Sequence, residues 1–451
     1  MPQNAVQYAS IEQMTSTLEG LAGTQFNQNS WLPAGNRYKD NIIENIKIDS
    51  QLPNIVNTTD LKEYTSVSSI LHCTDGWAFL SRAFSSMINA DIPSAIFFIY
   101  YSELRALMSL FGTNGISILS NKHFYFDLNG DIHSTIKLGT HEIVQRILKE
   151  YIDNSTKSAL LLKWIKIGSN SLYDWLQATG FGTSYVMSDF LNQWGLDINE
   201  VRADHDTRNQ VSYRPHILNP NTYELNYEDN LKKIIDFWRL CEPEGTSEFK
   251  LLDFYILKKS LQMIFNSLPY GEDGSNLERI TEPSYLLDFK EYIKSINITL
   301  GSPLLESQLN NLTSFNSPVD EFLDKANKKA YNCITNQYDL IPMLARALFL
   351  LRFATAGVNH NLMEARISKS DIDFWWKDYG TKYGFWDEND IPENFVDSLW
   401  PDIEEVINQI KDIMSESEVQ FGDPKSLENF YLRDINCLTQ VNKIPLWGFG
   451  L

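Results

Sequence analysis

Apolar residues spaced three and four apart line one face of a helix, and the stretch from Trp77 to Gly112 carries that pattern most fully. It predicts two consecutive core helices joined by Asn89-Ala90-Asp91-Ile92-Pro93. Asp91 is the expected cap of the second helix and Pro93 lies in its first turn, where a missing N–H costs no hydrogen bond. On that helix Phe97, Tyr100, Tyr101, Leu104, Leu107, Met108 and Phe111 recur at helical spacing, and Glu103 and Arg105 are its only charges. A central helix of this kind must find partners for both.

Upstream, Ser10-Ile11-Glu12-Gln13 reads as a capping box opening a helix up to Gly20, and Gly23 to Asp60 as an irregular lead rich in Asn, Gln, Pro and Ser. Downstream, HFYFDLNGDIHSTIKL alternates apolar positions around Asn129-Gly130, which predicts a β-hairpin inserted between the second and third core helices. The segments HEIVQRILKEYI, SALLLKWIKI, SLYDWLQAT and SYVMSDFLNQWGL each put three or four apolar residues on one helical face and complete a bundle. In the second half FKLLDFYILKKSLQMIF, YLLDFKEYIKSI and WPDIEEVINQIKDIM read as helices, and Ser317-Pro318-Val319-Asp320 as a helix start. Leu340 to Thr355 is the most apolar helix there; Arg346 and Arg352 are its only charges, with acids of a neighbouring helix as their expected partners. Pro243, Glu244 and Gly245 mark the expected boundary. The predicted architecture is mainly α: a lead over 1–60, a bundle with its hairpin over 61–242, and a helical C-terminal domain over 243–451. The apolar end QVNKIPLWGFGL requires burial on its own chain or on a partner.

The core helix carries Ala95, Tyr100-Tyr101 and Ala106-Leu107, and a later helix carries Arg208-Asn209. Over roughly Leu71 to Leu218 this resembles the HEPN superfamily (higher eukaryotes and prokaryotes nucleotide-binding). The resemblance implies an α-helical bundle that dimerises and a place in a prokaryotic antiviral-defence or toxin-type system. It also implies metal-independent RNA cleavage, with a catalytically inactive scaffold or sensor subunit that binds a protein partner as the alternative. In the family signature Arg-Asn-x-x-x-His, the arginine holds the scissile phosphate and the histidine moves a proton to or from the ribose oxygens. Tyr213 stands at the histidine position here, and the nearest histidine, His216, lies beyond Pro215.

The segment DINEVRADHDTRNQVSYRPHILNP is the most polar part of the predicted bundle. His205, Arg208 and Ser212 fall on one helical face with Tyr213 beside them. Arg208, Asn209, Tyr213 and His216 are the catalytic candidates, and Glu103, His205 and Arg214 are candidates for substrate binding. A tyrosine, with an ordinary pKa of about 10, is a poor general base near neutrality. In the structural alternative Arg208 and Asn209 satisfy buried carbonyls or carboxylates such as Glu103, and Tyr213 packs. No cofactor or metal is expected. His123 and His133, facing across the hairpin, lack a carboxylate or cysteine at ligand spacing, adjacent residues in Asp204-His205-Asp206 diverge on a helix, and the glycines of Gly180-Phe181-Gly182-Thr183-Ser184 read as a turn.

Composition narrows the partners. With 451 residues, 43% of them hydrophobic, two packed units are expected. A net charge of −20 argues against broad electrostatic binding of nucleic acid and requires a local basic cleft for any RNA substrate. A homo-oligomer or a protein-complex partner is therefore expected, with RNA as the candidate substrate. Cys73, Cys241, Cys333 and Cys437 lie far apart, with no paired spacing, and read as reduced core residues. The chain opens without a basic, apolar leader. Its most apolar windows, Ala95–Tyr101 and Leu344–Leu351, are bounded by charges and fall short of the ~20 residues that cross a bilayer, so a cytoplasmic protein with no membrane partner is expected. In DFWWKDYGTKYGFWDEND acids outnumber Lys377 and Lys382, which favours a packed corner or a protein-binding surface over base stacking.

Overall fold

Local caps set the first helices in the computed structural model, which describes residues 2–50, 56–181, 186–194, 197–213, 227–245, 247–268, 284–301, 304–313, 318–332, 337–415 and 435–451. After α1 (Pro2–Tyr8), α2 (Ile11–Thr24) starts at Ser10, whose hydroxyl accepts from the Gln13 N–H and donates to Glu12. It runs past Gly20 because its buried face, Met14, Leu18 and Leu21, continues through that residue. The lead is not wholly irregular. It holds α3 (Ile42–Asp49), pinned where Arg37 donates two hydrogen bonds to Asp49 and Tyr38 adds a third. Asn57 caps α4 (Thr58–Ile88), and Asp91 caps α5 (Ile92–Thr113) by accepting from the Ser94 N–H, with Pro93 in the first turn.

The hairpin region is a three-stranded antiparallel sheet, β1 (Ile116–Leu119), β2 (Lys122–Phe126) and β3 (Ile132–Ser134), in that order. Asn129-Gly130 forms the β2–β3 turn, where Asp127 accepts from the Asn129 and Asp131 N–H groups. His123 and His133 do not face each other. The register pairs His133 with Tyr125, and His133 bonds Asp127 at 2.8 Å, while His123 is buried between the Leu119 N–H and the Leu138 carbonyl. Helices α6 (Thr140–Asp153) and α7 (Ser155–Trp164) follow, then the two-residue strands β4 (Lys166–Ile167) and β5 (Asn170–Ser171). Next come α8 (Leu172–Gln177), α9 (Val186–Asp189) continued by a π-turn, α10 (Ile198–Tyr213), α11 (Tyr227–Leu240) and α12 (Lys250–Ser267). The remainder comprises α13 (Tyr285–Thr299), α14 (Glu306–Thr313), α15 (Pro318–Leu323), strands β6 (Tyr331–Asn332) and β7 (Gln337–Tyr338), α16 (Ile341–Glu364), α17 (Asp373–Tyr383), α18 (Phe395–Ser415) and α19 (Ile444–Gly448).

One apolar core runs from Ala5 to Phe449, across the boundary expected at Pro243. Its centre is the α4–α5 pair with α16 laid against both. Gly76 permits that approach: a Cβ there would stand 2.8 Å from Leu351 Cδ2 and 3.5 Å from the Ala106 nitrogen. Trp77 Nε1 donates to Thr355 Oγ1 across the same contact, 3.0 Å away. The arginines of α16 meet acids as the sequence suggested. Arg346 is bidentate to Asp204 of α10, and Arg352 is bidentate to Asp253 of α12.

Such pairs let apolar helices continue past their charges. At 22 and 24 residues, α5 and α16 are longer than the windows their charges seemed to bound, and by length and composition each could cross a bilayer. Their apolar windows are instead 72% and 94% buried inside the protein. The apolar C-terminal segment is likewise covered by its own chain, with Trp447 and Phe449 at 1% exposure. Cys73 and Cys241 are buried free thiols and Cys437 is half-buried, while Cys333 lies outside the described residues. The aromatic run forms a packed corner, Trp376 against Trp386 and Phe395.

Candidate functional site

Helix α10 crosses α5 and the start of α6, and where they meet the twin-tyrosine helix and the Arg-Asn segment become neighbours. Arg208 is 8% exposed. Its guanidinium donates to the Tyr101 hydroxyl at 3.2 Å and to Asn209 Oδ1 at 2.9 Å, and reaches His141 Nε2 at 3.4 Å. The rings of Phe97, Tyr100 and Tyr101 surround it, their centroids 5.8, 5.2 and 5.2 Å from Cζ. An arginine held over π-faces and by neutral partners keeps its whole charge. Among the described residues no carboxylate pairs with it, and its Nε has no hydrogen-bond partner. A buried, unneutralised cation is a site prepared for an anion.

Two histidines flank it. His141, in the first turn of α6, places Nδ1 2.6 Å from the Tyr100 hydroxyl and Nε2 toward Arg208. One neutral tautomer satisfies both contacts, with Nδ1–H donating to Tyr100 and the Nε2 lone pair facing the guanidinium. His205, one turn before Asn209 on α10, accepts from the Asn209 amide at Nε2 (3.3 Å) and faces Asp206 with Nδ1 (3.6 Å). The imidazole rings lie 4.9 Å apart, inclined by 30°. Asp206, His205, Asn209, Arg208, His141 and Tyr100 thus form a continuous polar chain.

Burial depresses both imidazoles. His141 is pushed down to about 4, chiefly by desolvation and then by His205 and Arg208. His205 is lowered by desolvation and by Arg208, with Asp206 opposing. Burial, reinforced by Glu103, raises the Tyr100 phenol and keeps it neutral. Near neutrality the cluster therefore holds one fixed cation and two uncharged bases. An anion drawn to Arg208 would oppose both the cationic repulsion and the desolvation that depress the imidazoles, drawing them toward protonation. That combination can hold a phosphodiester, take a proton with one imidazole and return one with the other.

The sequence candidates divide. Arg208, Asn209 and His205 are brought together. Tyr213 is not: five residues past Arg208 it lies about 140° round the helix, and it stands 80% exposed in solvent. Glu103 does not pair with Arg208. It lies deeper, 4.0 Å from Arg346 and beside Asp204, with neither carboxyl oxygen hydrogen-bonded. Burial and the neighbouring carboxylate push it well above the usual carboxylate range. Arg214 and His216 lie outside the described residues. Reading the sequence missed His141, whose only local mark is a polar residue at the start of an amphipathic helix, a signal shared by most surface helices. Among the described residues no cluster of His, Cys, Asp or Glu has the arrangement of a metal site. The chain matches no protein-family profile, no curated protein and no solved structure.

Proposed function

We propose that the chain is a HEPN-like component of a prokaryotic antiviral-defence or toxin-type system, and that the Arg208 cluster cleaves RNA without a metal ion. The observation that carries this reading is Arg208, a buried cation without a carboxylate partner among the described residues, flanked by two imidazoles. The twin tyrosines lie against the Arg-Asn pair, as the resemblance requires. Tyr213 does not take the place of the missing histidine. His141, or His205 on the other side, removes the proton of a ribose 2′-hydroxyl as its oxygen attacks phosphorus. The other imidazole, protonated beside the bound phosphate, gives a proton to the departing 5′-oxygen, and Arg208 stabilises the charge that builds on the phosphoryl oxygens. The products are a 2′,3′-cyclic phosphate and a 5′-hydroxyl. The test is RNA cleavage by the purified protein in excess EDTA with these termini, abolished in Arg208→Ala. Cleavage unchanged in that variant removes Arg208 from the mechanism.

A second reading is supported by the low exposure of Arg208 and by the neighbours already on each imidazole nitrogen. In it the cluster stabilises the α5–α6–α10 junction of an inactive subunit that dimerises and holds a protein partner. Absence of cleavage together with a stable dimer in sedimentation would favour it; a strictly monomeric protein that cleaves RNA would remove it.

A further inference from the structure

A second site, which nothing in the RNA chemistry uses, opens one helical turn along α5 from Tyr101, at Arg105. Between α4 and α17 lies a cleft of about 760 Å³, closed at one end by the turn 29–32 and floored by Arg105 of α5. That volume falls within the range of small-ligand pockets. Its α17 wall is a ladder of rings one turn apart, Trp375, Tyr379 and Tyr383, with successive centroids 5.6 and 4.7 Å apart. Trp31 adds a ring 5.8 Å from Trp375. The α4 wall is polar. Arg105 donates to His72 Nδ1 at 2.7 Å and stands 3.8 Å from Asp75. This fixes the neutral imidazole with its remaining N–H on Nε2, in accord with a His72 pKa pushed down to about 3 by burial and by Arg105. Exposed Lys39 and Lys382 also line the cleft, together with Asp75 and Asp378. Three cations against two acids make it locally positive on a chain of net charge −20.

We propose that this cleft binds a small planar heteroaromatic ligand carrying an anionic group, of the nucleotide or flavin-phosphate type. Tyr383, 40% exposed, and the half-buried Trp31 offer ring surface to a planar group, backed by the buried, mutually tilted Trp375 and Tyr379. The His72 N–H and the Asp75 carboxylate offer one donor and one acceptor to the polar edge of such a ring, and Arg105 with the two lysines offers charge to its anion. The cleft shares no residue with the Arg208 cluster, so the two proposals stand or fall separately.

Titrating the full-length protein with AMP and with FMN, followed calorimetrically and by thermal shift, tests it. One of the two probes should saturate a single site with a dissociation constant below ~1 mM, and ribose 5-phosphate, which lacks the ring, should not bind. Arg105→Ala and the exposed-residue variant Tyr383→Ala should each weaken binding by about tenfold or more, while Arg208→Ala leaves it unchanged. Lys382→Ala, at an exposed position, provides a surface variant that should keep the fold and weaken the anion contact alone. Failure of both probes to saturate overturns the proposal. Equal binding of ribose 5-phosphate, or binding insensitive to Arg105→Ala, Tyr383→Ala and Lys382→Ala together, does so as well.

Discussion

Arg208 and Arg346 both reach toward α5, and both are buried, yet their surroundings differ. Arg346 at 0% exposure is bidentate to Asp204 and also donates to the Ala326 and Lys328 carbonyls. Its charge is cancelled and its donors are used. Four residues along α10 from Asp204, Arg208 meets, among the described residues, only neutral groups: a phenol, an amide, an imidazole and three ring faces. A carboxylate partner turns an arginine into a strut joining helices. Neutral partners fix its position and leave its charge for something that arrives later. Shared burial thus hides a difference in counter-ion, and it is that difference on which the proposed role of Arg208 rests.

The largest effect should come from breaking the strut. Asp204→Ala leaves Arg346 charged, buried and unpaired, and should destabilise the fold by about 3–5 kcal/mol in chemical denaturation. Arg208→Ala removes a cation that has no charged partner and should cost about 1–2 kcal/mol; equal losses in the two variants would erase the contrast. For the proposed RNA cleavage the order reverses. Arg208→Ala and His141→Gln should each reduce RNA cleavage by about 10²-fold or more, with circular dichroism unchanged.

Proton linkage offers a finer comparison. The folded pKa of His141, about 4, is below its ordinary 6.5. As pH falls through that window the unfolded chain takes up a proton that the folded chain refuses, and stability declines; above 6.5 the contribution disappears. His141→Gln should therefore flatten the melting temperature between pH 6.5 and 4. Glu103 has the opposite sign. Its raised pKa favours the folded state below the ordinary carboxylate value, and that advantage is lost as pH rises toward the folded value. Glu103→Gln should gain on the wild type steadily as pH is raised. The smallest effect belongs to Tyr213→Ala, which should change stability by less than about 0.5 kcal/mol and leave any cleavage intact.

Local signals carried well. Asp91 and Pro93 announced the start of α5, Asn129-Gly130 announced a hairpin, and the lone arginines of α16 announced acidic partners, because caps, turns and charge in an apolar run act over a few residues. Arg208, Asn209 and His205 could be read as candidates because they share one helix. His141 could not, since it lies 67 positions from Arg208 and joins it only through packing. Glu103, named as a substrate-binding candidate and as one carboxylate that Arg208 could meet, lies instead near Arg346, because helical periodicity names the buried face but not the neighbour that meets it. The lead concealed α3 because its apolar face is only two residues long, Ile42 and Ile46, and its end is held by polar contacts among Arg37, Asp49 and Tyr38.

By itself the sequence determined where helices start, which faces are apolar, and that a core this hydrophobic carries arginines needing partners. Only the tertiary structure decided which arginine would be neutralised. That choice depends on which carboxylate and which imidazole the crossing of α5, α6, α10 and α16 brings within a few ångströms, and distances between helices are set by the packing of side chains remote from one another in the chain.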